Sequence, residues 1–179
     1  MPAKTYLQQV AGRLKQMPFT TVSTGAANGG DGVGLGDDGK LHQSLLPDGY
    51  APATWTGVAS EAIAAGRLVN IYPDTVGGQP VTRARLADAS AAGKRAWGYA
   101  QQGASAGSPV TVWFGGANSA VSGLTPGGDV FLSATTPGGV TSTAPSGASQ
   151  VVQRVGVAGS ATAFMFSAGL EIELAPAAA

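Results

Sequence analysis

The sequence predicts an all-β fold, a β-sandwich or barrel body preceded by an N-terminal helix and an extended arm. Three observations lead there. Beyond residue 50, short apolar-rich segments recur at a spacing of roughly 8–12 residues with turn signals between them. Gly at 28 and Pro at 11 punctuate the 179-residue chain, which favours short strands over long helices. The stretch GLTPGGDVFLSATTPGGV, Gly123 to Val140, sets two Pro-Gly-Gly turns around a Val-Phe-Leu segment.

Residues 4 to 17 carry the one helical pattern. Leu7, Val10, Ala11, Leu14 and Met17 fall at intervals of three and four, with Lys4, Gln8, Arg13 and Lys15 elsewhere. Gly12 weakens such a helix by about 1 kcal/mol relative to Ala, and Pro18 stops it. A helix of this length needs a surface for its apolar stripe, either its own domain or a neighbouring subunit. Leu7, Val10, Leu14, Met17 and Phe19 are therefore the candidate contacts with a partner surface or a neighbouring subunit. From Thr20 to Gly49 the pattern dissolves into TGAANGGDGVGLGDDG and KLHQSLLPDGY, which reads as an extended arm. A loop this long inside a compact domain is unusual, so a boundary is expected near residue 50. The predicted organisation is a helix and Gly-rich arm over 1–49, serving attachment or intertwining. A β-domain over 50–174 and a loose tail over 175–179 follow.

Within the β-domain, strands are expected at Thr54 to Val58, Arg67 to Tyr72, Val81 to Ala87, Arg95 to Gln101 and Pro109 to Phe114. Val81, Arg83 and Arg85 alternate with Thr82, Ala84 and Leu86. Val130 to Ala134 and Val140 to Thr143 form a hairpin across TTPGG. Gln150 to Ala158 and Ala163 to Ser167 form another, turned at Gly159-Ser160. Ser60 to Ala65 and Asp88 to Ala92 read as brief helical turns.

Composition narrows the function. Charged residues are only 11%, with Lys plus Arg and Asp plus Glu at 10 each, against roughly 25% in an ordinary domain. No basic face can gather phosphates, which argues against nucleic acid as a partner. A neutral, weakly charged surface resists self-association poorly, and that suits a surface meant to be covered by copies of itself or by a partner. Cysteine is absent, which removes disulfides, thiolates and Cys-ligated metals. The start MPAKTYLQQVAGRLK lacks the apolar core of a signal peptide. No apolar run approaches the ~20 residues that span a bilayer. The expectation is a protein made in a cytoplasm, without a membrane partner.

Reaction signatures are weak. GASAG, Gly103 to Gly107, matches G-x-S-x-G, but the strand SPVTVWF follows where a hydrolase needs a helix. His42 is the only histidine, so any Ser105–His pair or His-based metal site depends on it. GGDGVGLGDDG lacks the flanking strand and helix of a dinucleotide loop, and is a single imperfect copy of a calcium repeat through Asp31, Asp37 and Asp38. Glu61, Glu171 and Glu173 are the glutamates from which a carboxylate pair could be drawn, although EIEL reads more simply as an edge strand. No catalytic residue, cofactor or metal site is assigned.

Three pieces carry a family resemblance. DGKLHQSLLPDG, Asp38 to Gly49, is the first. EAIAAGRLVNIYPD with VTRARLADASAAGKRAWGYA is the second, and GLTPGGDVFLSATTPGGVTSTAPSGASQVVQRVGVAGSATAFMF the third. Together they cover residues 38 to 166 and resemble the capsid decoration (cement) and head-fibre proteins of tailed bacteriophages. The resemblance implies a non-enzymatic, usually trimeric all-β protein made in the host bacterial cytoplasm. It would sit on the outer surface of the head, bound to the major capsid protein and to itself. Similar modules occur in tail fibres and baseplate proteins, and the alternative is a tail-fibre or spike component binding a host receptor or glycan. Trp55, Trp97 and Trp113 would then supply stacking platforms, with Trp97 and Trp113 the more core-like and Trp55 the more open.

Overall fold

The computed structural model describes residues 5–37, 39–46 and 53–177. Asp38, the expected boundary near residue 50 and the last two residues of the tail lie outside them. The chain divides into two compact units, Met1–Ala51 and Pro52–Ala179. It is all-β, and the body contains a closed five-stranded barrel.

The N-terminal helix is not there. β1 (Thr5–Val10) and β2 (Arg13–Pro18) instead form an antiparallel hairpin pairing Tyr6 with Met17 and Val10 with Arg13. The reason lies at the middle of the presumed helix. Ala11 and Gly12 take φ of 50° and 78°, and a two-residue turn with both centres left-handed matches the twist of paired strands. Folding back there satisfies the backbone across the pair, whereas a helix would carry Gly12 in its interior.

The Gly/Asp-rich stretch folds back on itself and on this hairpin. Thr20 pairs with Val33 in a parallel bridge, and Tyr6 Oη accepts the Gly32 N–H at 2.6 Å. The Tyr6 and Phe19 rings lie 5.0 Å apart. Asp31 accepts from Asn28 Nδ2 at 3.0 Å and Thr20 Oγ1 at 2.9 Å.

In the second unit, β3 (Thr54–Ala59), β4 (Leu68–Val76), β5 (Gln79–Leu86), β6 (Gly98–Ala100) and β7 (Pro109–Trp113) close the barrel in the order β3-β5-β4-β6-β7. All neighbours are antiparallel except β3 and β5. Its interior is small: Ala59, Ile63, Val69, Ala84, Ala100, Val110 and Val112. Such narrow residues suit a five-stranded ring, whose lumen leaves room only for side chains.

A second sheet follows the order β10-β9-β11-β12-β8, with β13 also paired to β11. Its strands are β8 (Gly116–Asn118), β9 (Asp129–Leu132), β10 (Val140–Thr141), β11 (Val151–Ser160), β12 (Ala163–Phe166) and β13 (Glu171–Glu173). Leu68 and Tyr99 from the barrel share one core with Val130, Leu132, Val155, Phe164 and Phe166. The two Pro-Gly-Gly stretches make the same turn. Gly128 N–H donates to Thr125 O at 3.0 Å and Gly139 N–H to Thr136 O at 2.9 Å, with Gly127 and Gly138 at φ 77° and 68°. Pro then glycine at the two centres is the type II arrangement.

Two further expectations change. Residues 60–65 and 88–92 hold no helix; Ile63 bridges Ala104, and Asp88 caps a turn through the Ser90 N–H at 2.8 Å. The last hairpin turns at Ala161-Thr162 because β11 runs on through a bulge to Ser160.

Candidate functional site

The five expected contact residues do not form one stripe. The hairpin register sets Leu7 opposite Gln16 and Leu14 opposite Gln9, so both leucines project from one face. They are 69% and 74% exposed. Val10 and Met17 lie on the other face with Tyr6, and Phe19 stacks beside Tyr6. No described residue of the first unit is buried, while Val22, Val33, Leu35 and Leu41 are also exposed.

A second feature lies on the outer face of the barrel. Along β4 and β5, Val69, Ile71, Ala84 and Leu86 pack inward or against the barrel core. Strand alternation turns Asn70, Tyr72, Arg83 and Arg85 the other way. The loop leading into β6 brings Arg95 and Trp97 alongside, and β13 contributes Glu171. Together with Gly93, Ile71 and Pro73, all of these except Arg83 line a groove of about 440 Å³.

Asn70 organises it. This side chain is 3% exposed; its Nδ2 donates to Arg95 O at 2.8 Å, and its Oδ1 accepts from Arg85 Nε at 2.9 Å. Arg85 Nη2 also donates to Gly93 O at 3.0 Å, while its guanidinium lies 4.2 Å from the Tyr72 ring centroid. The Arg95 guanidinium lies 3.6 Å from that of Trp97, within cation–π range. Glu171 Oε1 accepts the Gly93 N–H at 3.3 Å. Next door, Arg83 pairs with Asp74 at 3.3 Å. The Thr75 N–H, with help from Arg83 and Tyr72 and against partial burial, holds the Asp74 carboxyl below the usual range.

Trp97 and Trp55 exchange their expected places, while Trp113 keeps its own. Trp97 is 40% exposed in the groove, because the short β6 begins only at Gly98. Trp55 packs against the barrel core and Trp113 against the shared core. Asn70 and the arginine pair were not singled out from sequence; a polar residue between Val69 and Ile71 in an otherwise apolar run is the signal that marks them.

Each remaining candidate is engaged within its own unit. Ser105 sits in the loop before β7, its carbonyl accepting the Ser108 N–H. His42 Nδ1 meets Ser44 Oγ at 2.8 Å within a local turn. Hydrogen bonds from Asn28 and then Thr20 hold the Asp31 carboxyl below its usual range. Glu61 Oε1 accepts the Leu86 N–H at 2.9 Å. Among the described residues no three His, Asp or Glu side chains gather as a metal site. No protein-family model, curated protein or solved structure matches this chain.

Proposed function

We propose that this protein is a non-enzymatic structural component of a tailed-phage particle, decorating and stabilising the outer surface of the head. The reading has it as a homotrimer whose first unit binds the major capsid protein. The observation that carries it is the lack of any buried residue among those described in that unit, beside two leucines exposed on one hairpin face. A two-stranded hairpin is marginal alone, and fully burying a leucine is worth about 1.5–3 kcal/mol. Repetition over a shell multiplies such modest contacts into firm attachment. The resemblance of residues 38 to 166 to decoration and head-fibre modules supplies the identity of the partner.

The test is co-sedimentation of the full chain with expanded heads that lack it. Saturable binding, reduced at least tenfold by the double variant Leu7→Ser, Leu14→Ser, is expected. Undiminished binding by that variant moves the contact to the β-body, and no binding by the parent chain overturns the head assignment.

The groove favours a second reading, a tail-fibre or spike component that binds a host receptor or glycan. Trp97 and Tyr72 offer it ring surface beside hydrogen-bonding groups, the combination that holds sugars.

A further inference from the structure

We propose that the Tyr72–Arg85–Arg95–Trp97 groove is a binding site for a carboxylate-bearing saccharide, of the uronic or sialic acid kind. The proposal rests on the second reading above and names its ligand class.

The charge pattern comes first. The second unit has six Lys and Arg side chains, Arg67, Arg83, Arg85, Lys94, Arg95 and Arg154. Arg83, Lys94 and Arg154 are ion-paired with Asp74, Asp88 and Asp129. Two of the other three, Arg85 and Arg95, face this one groove. In a chain with so few charges, two arginines in one place without a carboxylate partner among the described residues call for an explanation. Glu171 is the only acid among the described residues lining the groove, and it accepts the Gly93 N–H.

Both guanidiniums are held ready. Arg95 is oriented by stacking on Trp97, and among the described residues its guanidinium makes no hydrogen bond or ion pair. Its in-plane N–H donors are therefore open. Arg85 is fixed through Nε and Nη2, which leaves Nη1 unengaged among the described residues. Buried Asn70 holds both segments at once. A guanidinium stacked on a ring is weakly hydrated and matches a carboxylate bidentately, so little ordering cost remains for a ligand to meet.

The rest of the groove suits sugar over peptide or phosphate. Its ~440 Å³ falls in the small-ligand range of about 300–1,000 Å³. The Tyr72 and Trp97 rings offer apolar surface to the C–H faces of a pyranose. The second Glu171 oxygen can accept from a hydroxyl, and it would repel a more highly charged anion.

The test is calorimetric titration of the full chain with a galacturonate oligosaccharide, its fully methyl-esterified form, sialyllactose, lactose and polyglutamate. Binding of at least one acidic sugar is expected, at least tenfold tighter than its neutral counterpart. Arg95→Ala should weaken it tenfold or more with melting temperature unchanged, and Arg95→Lys should not restore it. Equal binding of acidic and neutral sugars, lost in Trp97→Ala, overturns the proposal and leaves the glycan reading standing. Equal binding of polyglutamate overturns it as simple charge capture. Binding of none of the sugars overturns both.

Discussion

The two units draw on the same small, glycine-rich vocabulary and reach opposite results. In the second, alternation along the strands turns one set of side chains into a barrel and another into a shared core. Tyr99 and Phe164 are each 1% exposed and Leu132 is fully buried. In the first, the hairpin alternates just as well, but its two faces fare differently. Tyr6 meets Phe19 and the Gly32 backbone, while Leu7 and Leu14 on the other face stay largely exposed. Patterning makes a core only where a second layer exists to receive it. On the proposed reading, the first unit is the part that a partner would complete.

Three changes probe that contrast, and the largest effect belongs in the shared core. Phe164→Ala is expected to cost about 3–5 kcal/mol, read from urea unfolding of the full chain. A loss below 1 kcal/mol would mean that the two sheets do not depend on one core.

Tyr99→Phe tests the same core through a polar group. Tyr99 Oη donates to Ala117 O at 2.9 Å, and losing that bond is expected to cost about 1 kcal/mol. Burial also raises the Tyr99 phenol above its ordinary value of 10.0. The unfolded chain therefore gives up this proton first, so the contribution is complete below pH 10 and fades as pH rises through the higher folded value. Parent protein should lose stability on that alkaline side more steeply than the Phe variant. Parallel pH profiles would contradict it.

The smallest effect is expected at Leu14→Ser, within about 0.5 kcal/mol of the parent, because the side chain is already in water. A loss above 1 kcal/mol, measured on the free protein, would show that this face is covered before any partner arrives.

Much of the body was legible because its signals are local. Pro and Gly at the centres of both TPGG turns announce a backbone shape, and β9 and β10 pair across the second as their alternation predicts. β4, β5, β7, β11 and β12 also fall where apolar alternation sets them. The N-terminal hairpin was missed because Leu7, Val10, Leu14 and Met17 satisfy a helical spacing, whereas the hairpin splits them between its two faces. The deciding feature was the Ala11-Gly12 pair at the point of reversal. The groove was illegible for another reason: Asn70 joins Arg85 and Arg95 through contacts that only the barrel brings together. Arg83 and Arg85 were visible as alternate residues of one strand, but nothing in their spacing showed which of them would find a carboxylate.

The ring has a consequence for synthesis. β3 is its first strand, yet its neighbours are β5 and β7, so Val58 waits for Arg83 and Thr54 waits for Trp113. Pairings this far apart in the chain form slowly. As the chain leaves the ribosome, β3 follows the leucine-bearing hairpin with one edge unpaired until β5 and the other until β7 has been translated. The window in which another chain could capture these strands is therefore set by elongation as well as by folding. A host that translates residues 60–113 slowly should give more aggregate from the same message.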